Sequence, residues 1–342
     1  IPVIVIMRAF GASEQGRALG IFGFGVVLAP ALGPSVGGFL VEHYGWRSIF
    51  FVVVPFCVAV LALSRRTLAV NSPLMGDARQ LDWKGLLLVG ISTISLLNGL
   101  VHLRGDGWQA AILLALGGFS LIGFIAYQLR AEQPLMQMQL FGFRQFSMGA
   151  LVAFIYGMGL FGSTYLLPVY MQLALNYTPS QAGLVLLPAG IVLAVIIPLA
   201  GHLTDRFPPN ILVAGGLALL ALSFALMALG SSAGSYFLLM TWAIIGRIGL
   251  GFVLPALSLG SLRGLTPELI AQGSSTINFV RQLGGAIGIS LVGIVLEWRL
   301  AAHPADMGGR MRAFDDTFLL VAGLCALAIV AAWRMRDAPA AP

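Results

Sequence analysis

The stretch "LAPALGPSVGGFL", residues 28–40, lies within an apolar run long enough to cross a membrane, yet it holds Pro30, Pro34, Gly33, Gly37 and Gly38. In a helix interior each Gly costs about 1 kcal/mol relative to Ala, and each Pro about 3. So many breakers in one helix ask for a compensating use. Small residues at 29, 33 and 37 recur every four positions, a spacing that puts them on one face where two helix backbones can approach closely. Pro30 and Pro34 are expected to kink the same helix.

The rest of the chain reads as membrane protein. Of 342 residues, 58% are hydrophobic and 9% charged, with a mean hydropathy of +0.94; a soluble domain carries about 25% charged residues. Uncharged runs of roughly 18 to 25 residues recur, matching the roughly 20 that a helix needs to cross the hydrocarbon core. Strands of a membrane barrel would instead alternate over about ten residues. Ten crossings are expected, at about 17–41, 48–64, 84–103, 108–129, 146–173, 181–203, 210–230, 235–262, 272–297 and 314–334. The apolar opening "IPVIVIM" lacks the features of a signal peptide and reads as the cut end of a further helix.

Alternating crossings divide the loops between two sides. One side carries Arg8, Arg17, Arg65, Arg66, Arg79, Lys84, Arg130, Arg144, Arg206, Arg263, Arg334 and Arg336; the other carries Arg47, Arg104, Arg299, Arg310 and Arg312. The excess marks the first side, with the C-terminus, as cytoplasmic. The net charge of +6 is therefore a topology signal, and it offers no patch for nucleic acid. The polar run between the second and third crossings reads as a linker, ending at Asp82 as an N-cap. The longest polar segment, 298–315, is too short to bury a core of its own.

All thirteen acidic residues fall in loops or at span ends. Two cations do not. Arg247 and Arg281 lie well inside their spans, where a charge costs at least about 2.5 kcal/mol and normally faces a cavity or a partner. The alternative is that each guanidinium bonds neighbouring carbonyls and only locks packing. Asn278 shares a face with Arg281, and Gln282 follows it, making a polar stripe. Tyr156, Tyr165, Tyr170 and Gln172 on another span divide between a cavity role and interfacial anchoring. Asn98 and His102, four apart, read as an interhelical hydrogen bond. Glu42 and Glu297, near the outer span ends, are weak candidates for binding a proton. Cys57 and Cys325 read as small buried hydrophobes. The chain has no metalloprotease, hydrolase or phosphate-loop motif, so enzymatic chemistry and ATP hydrolysis have no residues to rest on.

Several ordered motifs resemble one family. Gly20-x8-Ala29-x3-Gly33-Pro34-x2-Gly37-Gly38 resembles the antiporter motif of the fifth helix in the major facilitator superfamily, with Ala29 standing where that motif has Gly. "EHYGWRSIFFVVVP" resembles the start of the sixth helix of the fourteen-span drug:proton antiporters, and "LDWKG" with "GDGW" their inserted seventh and eighth helices. "PLAGHLTDRF" resembles the cytoplasmic G-x-L-x-D-R loop through Gly201, Leu203, Asp205 and Arg206, departing at Pro208 and Pro209. "GRIGLGFVLPAL" and "AQGSSTINFVRQLGGAIGIS" resemble the twelfth and thirteenth helices.

The resemblance implies an all-α polytopic membrane protein with part of the superfamily fold: the end of helix 4 and helices 5–14, with helices 1–3 absent. It implies that residues 1–66 close the N-terminal six-helix half, 67–83 form a cytoplasmic linker, 84–130 hold two inserted helices, and 131–342 make the C-terminal half. Substrate would bind between the halves near the midplane. Gly20, Ala29, Gly33, Pro34, Gly37 and Gly38 would pack and bend helix 5, and Gly201, Asp205 and Arg206 would gate the cytoplasmic side. Arg247, Asn278, Arg281, Gln282, Tyr170 and Gln172 would supply polar groups to the cavity or the interface between halves. The function implied is export of drugs or other amphipathic small molecules from a bacterial inner membrane, with a proton gradient as energy source and no cofactor. The coupling acid is expected on the family's first helix. Partners would be substrates, protons and the bilayer, and in two-membrane bacteria some relatives join a periplasmic adaptor and an outer-membrane channel. A dedicated metabolite exporter and a non-transporting sensor or scaffold are the alternatives.

Overall fold

Three helix starts among the described residues are fixed by N-cap side chains that satisfy backbone N–H groups left free in a first turn. Asp82 accepts from Gly85 N–H at 2.8 Å, and Asp306 accepts from Gly309 N–H at 2.7 Å. Thr178 and Gln181 form a reciprocal capping box, with Pro179 at the first helical position. At the other end, Gly45, with φ of 77°, stops a helix that has run through two prolines.

The computed structural model describes residues 6, 10–11, 14–67, 82–103, 105, 107–230, 235–304 and 306–335, without the side chains of 26–31, 64, 66–67 and 267–268. Among them are ten α-helices and no strand. In chain order they are α1 (Gln15–Tyr44), α2 (Ser48–Thr67), α3 (Trp83–His102), α4 (Gly107–Gln128), α5 (Arg144–Leu173), α6 (Pro179–Thr204), α7 (Pro209–Leu229), α8 (Tyr236–Leu262), α9 (Pro267–Ala302) and α10 (Met307–Trp333), with a short 3-10 helix, Met138–Gly142, before α5. Each expected crossing coincides with one helix. Among the described residues eight, α3 to α10, are long and apolar enough to span a membrane. The protein is a multi-pass membrane protein. The linker expected over 67–83 and the opening helix end fall largely outside the described residues.

One expected loop is mostly helix. Residues 298–315 continue α9 to Ala302 and begin α10 at Met307. With 36 residues, α9 is about 54 Å long, well beyond the roughly 30 Å of hydrocarbon. Its polar end is held by Asp316 of α10, which pairs with Arg299 at 3.4 Å and lies within hydrogen-bond distance of His303 at 3.1 Å. Charged residues do not mark the limit of the helix here.

α5 to α10 share one buried core, in which Tyr156, Tyr170, Phe146, Phe224, Phe314 and Phe318 are the largest enclosed side chains. Lipid offers no hydrophobic drive between helices, so close packing must hold them. Glycines allow it: a Cβ on Gly157 of α5 would strike the Arg281 carbonyl of α9, and one on Gly284 would strike the Phe154 carbonyl. α3 and α4 form a hairpin joined by Ser120 Oγ donating to Leu88 O at 2.7 Å. At its base Gln128 donates to Asp82 at 2.7 Å and accepts from Met136 N–H at 3.2 Å. Asn98 and His102 bond carbonyls of their own helix, α3, so the interhelical bond expected of them is not made. Cys325 is buried, whereas Cys57 is exposed on α2, contrary to its expected burial.

Candidate functional site

α1 packs most extensively against α6, and the two run antiparallel. Gly16 and Gly20 of α1 face Gly201 and Pro198 of α6; a Cβ on Gly16 or Gly201 would overlap a carbonyl oxygen of the other helix. Further along, Gly183 lies against Pro34 and Ser35, whose hydroxyl donates to Gly183 O at 2.8 Å. Gly38 lies against the Pro179 carbonyl.

This face differs from the one expected. A Cβ added to Gly33 or Gly37 would meet nothing within 4 Å, and the side chain of Ala29 is outside the described residues. The helical step explains the shift. At about 100° per residue, Ser35 and Gly38 share one side of α1, while Gly33 and Gly37 are each turned about 160° away from Ser35. The motif's glycines thus divide, Gly20 and Gly38 packing on α6 and Gly33 and Gly37 turned aside.

Both ends of the pair are closed by a carboxylate. At one end Asp205, just past the end of α6, accepts from Gly16 N–H at 2.8 Å and Arg17 N–H at 3.0 Å. These are free donors of the first turn of α1, where the helix dipole also favours an anion. At the other end Glu42 of α1 accepts from Ser180 N–H at 2.8 Å, in the first turn of α6. Each helix is capped by an acid from the far end of its partner. Arg206 is exposed beside Asp205.

Glu42 lies beyond the expected crossing, and the Ser180 side chain and N–H, with the Thr178 hydroxyl, hold its carboxyl below the usual range. The carboxylate expected to bind a proton is thus engaged in a contact between the two helices. Glu297 is also exposed.

Beside the Asp205 end is a cavity of about 410 Å³ between α1, α8 and α9. Leu19 and Phe22 of α1 and Leu254 and Leu257 of α8 form its apolar walls, while Asn278, Arg281 and Gln282 of α9 line the opposite side. Arg281 Nη2 donates to Asn278 Oδ1 at 2.6 Å. The expected polar stripe is therefore brought together on a cavity wall.

Three other expected cavity residues are elsewhere. Tyr170, 1% exposed, packs edge-on against Phe314 and Phe318 of α10. Gln172 is exposed and donates to the Pro168 carbonyl of its own helix at 3.2 Å. For both the reason is helix rotation, since that part of α5 is turned toward α10 or outward. Arg247, 6% exposed, is buried in the six-helix core and does not line the cavity. The cavity reaches α8 only from Leu254 onward, about two turns further along the helix.

Residues 1–289 and 150–342, which overlap, both match the family model described as Major Facilitator Superfamily. The chain belongs to the major facilitator superfamily. That superfamily comprises membrane transporters, and this chain is not an enzyme. Among its relatives, a "Multidrug resistance protein B homolog" of Mycobacterium tuberculosis (strain ATCC 25618 / H37Rv) is 31% identical over 338 residues, covering 93% of this chain and 62% of its own length. "Multidrug export protein EmrB" of Escherichia coli (strain K12) is 30% identical over 317 residues, covering 91% and 62%. The chain thus spans about 60% of the length of the curated relatives it matches. Among solved structures, the human organic anion transporter MFSD10 (TETRAN) aligns with a TM-score of 0.58 at 17% identity, covering 96% of this chain and 66% of that one. A bacterial homolog of the human lysosomal transporter Spinster, in an inward-facing and occupied conformation, gives 0.56 at 15%, covering 99% and 75%. At these identities the likeness is one of fold.

Proposed function

We propose that the protein exports amphipathic or lipophilic small molecules across a bacterial inner membrane by alternating access, in exchange for protons. The Asp205 end of the bundle is cytoplasmic in this reading, in keeping with the Lys and Arg excess on that side. The names of the relatives support drug export. The proton gradient is the energy source, and the coupling acid belongs to the family's first helix.

One observation carries the reading: the Asp205 carboxylate on the first turn of α1. In the family pattern α1 belongs to the N-terminal half and α6 to the C-terminal half, so this contact ties the halves together on the cytoplasmic side. Hydrogen bonds to charged groups contribute about 1.5–3 kcal/mol each. Two of them amount to a few kcal/mol, comparable to the roughly 5.5 kcal/mol that inverts a 1:99 population. Such a contact is strong enough to hold one state and weak enough to be released. Glu42 on Ser180 acts as its counterpart at the outer end.

Transport of a fluorescent amphipathic dye in proteoliposomes under an imposed proton gradient tests this. The wild-type protein should move dye and protons in opposite directions, and Asp205→Asn should slow both several-fold at equal incorporation. Unchanged transport in that variant would sink the gate. Dye movement indifferent to the gradient would sink the antiport.

A further inference from the structure

We infer that a crevice between the α3–α4 hairpin and α9 holds one acyl chain of an anionic phospholipid from the leaflet on the Asp205 side of the membrane. The crevice has a volume of about 440 Å³. Val89 and Leu96 of α3, Phe124 of α4, Phe279 and Leu283 of α9, and Met138 ahead of α5 give it an apolar wall. Ser92 and Thr93 add two hydroxyls, and among the described residues no charged or amide side chain lines it. It is separate from the cavity between α1, α8 and α9, although the two share α9. Phe279, Val280 and Leu283 face the crevice, whereas Asn278, Arg281 and Gln282 face the cavity.

A void of this size beside fluid hydrocarbon is filled, because its lining otherwise forfeits dispersion contacts that a filler restores. Its shape selects the filler. Val89 to Leu96 gives the crevice a depth of about 10 Å along α3. A helix with its side chains is about 10 Å across and would need about 800 Å³ over that depth. A helix is therefore too wide, and a single hydrocarbon chain is narrow enough. A polar drug-sized molecule would find only Ser92 and Thr93 to fix its orientation. The Phe and Met side chains of the wall, by contrast, adapt to a flexible chain.

The base of the hairpin suits the head of the same molecule. Gln128, at the end of α4, holds Asp82 and the Met136 N–H, and Met136 itself lines the crevice. The crevice therefore reaches the level of the α3 start and the α4 end. Lys84, Arg130 and Arg144 are exposed there. Asp82 is engaged by Gly85 N–H and Gln128, which leaves Glu132 as the exposed acid between residues 82–84 and 128–144. Clustered cations at a membrane surface attract anionic headgroups. A phosphate at this base, with its chain running toward Leu96 and Leu121, matches both the charge and the apolar wall. α3 meets the six-helix body chiefly at α9, so the lipid acts as a packing piece between hairpin and body.

The test is photolabelling of the full-length protein in phosphatidylcholine nanodiscs by a trace of phosphatidylglycerol with a diazirine in its acyl chain, the labelled residues being mapped by mass spectrometry. Phe124 and the Phe279–Leu283 segment should be labelled about tenfold more than Phe119 and Ile122, which lie exposed on α4. Val280→Trp, which fills the crevice, should bring its labelling down to the level of that outer face, and Ile122→Trp should leave it unchanged. Combined Lys84→Gln, Arg130→Gln and Arg144→Gln alter only exposed side chains and should lower crevice labelling to that given by a phosphatidylcholine carrying the same diazirine chain. Thermal melting, together with this surface variant, separates loss of the site from loss of the fold. Equal labelling of crevice and outer face would mean ordinary boundary lipid and overturn the inference. Labelling of the outer face alone would overturn it too, by showing another occupant, as would crevice labelling that survives Val280→Trp. A free fatty acid with the same diazirine that labels the crevice as well as phosphatidylglycerol does would remove the phospholipid as its source.

Discussion

Glu42 accepts the Ser180 N–H at 2.8 Å, the same distance at which Asp205 accepts the Gly16 N–H at the opposite end of the α1–α6 pair. In both places the donor belongs to a helix's first turn, and the acceptor is an acid from the partner helix's last residues or just beyond. The pair is therefore fastened end to end by one chemistry used twice.

Removing the outer fastening should change gating without loosening the fold. Glu42→Gln keeps an acceptor oxygen and loses the charge, and Glu42→Ala loses both. We expect a graded effect, with the Ala variant spending more time open at that end. Spin-label distances between the ends of α1 and α6 measure it, and identical distributions in wild type and Glu42→Ala would contradict it.

The same contact sets an expected pH response. The Ser180 side chain and N–H hold the Glu42 carboxyl low, so its ionised form contributes above the ordinary carboxylate range, and that contribution is lost only as pH falls through the depressed value. The label distances at this end should stay unchanged from neutral pH down to about 5, with an ordinary Glu titrating near 4.3. Opening near pH 6 would show that another group governs the contact.

The glycines of the α1–α6 pair should sort by contact rather than by motif membership. A Cβ on Gly201 meets the backbone of α1, whereas one on Gly33 meets nothing within 4 Å. Gly201→Ala should cost about 1–3 kcal/mol, the usual penalty of overpacking, and slow transport. Gly33→Ala should leave both close to wild type. Thermal melting in detergent and proteoliposome transport read the two effects, and equal behaviour of the two variants would refute the assigned face.

At the base of the α3–α4 hairpin, Asp82 caps Gly85 N–H and receives Gln128. Asp82→Ala should cost about 0.5–2 kcal/mol, the range for loss of an N-cap, and should expose α3 and α4 to proteolysis or hydrogen exchange. Unaltered exchange at the start of α3 would mean that the cap is dispensable.

The helices are legible in the sequence because hydrocarbon thickness leaves a simple trace: long uncharged runs with charges at their ends. That trace fails where charge no longer marks a boundary, as around 298–316, where Arg299, His303 and Asp316 lie within helices and meet one another. In the site, Arg281 and Asn278 stand out because a cation within a span is costly enough to be conspicuous. Tyr170 misleads, since an aromatic near a span end has the same sequence signature whether it faces a cavity or packs against Phe314 and Phe318. The bond from Ser180 to Glu42 is hidden for another reason. It joins residues 138 positions apart, and no local pattern encodes which acid will meet which helix start.

Arg281 meets two different neighbours through its two ends. Its guanidinium looks into the cavity, while its carbonyl oxygen presses on Gly157 of α5, where no side chain intervenes to cushion it. α9 therefore has little slack against α5 at this point, and a displacement of the cavity wall there has to be shared by both helices.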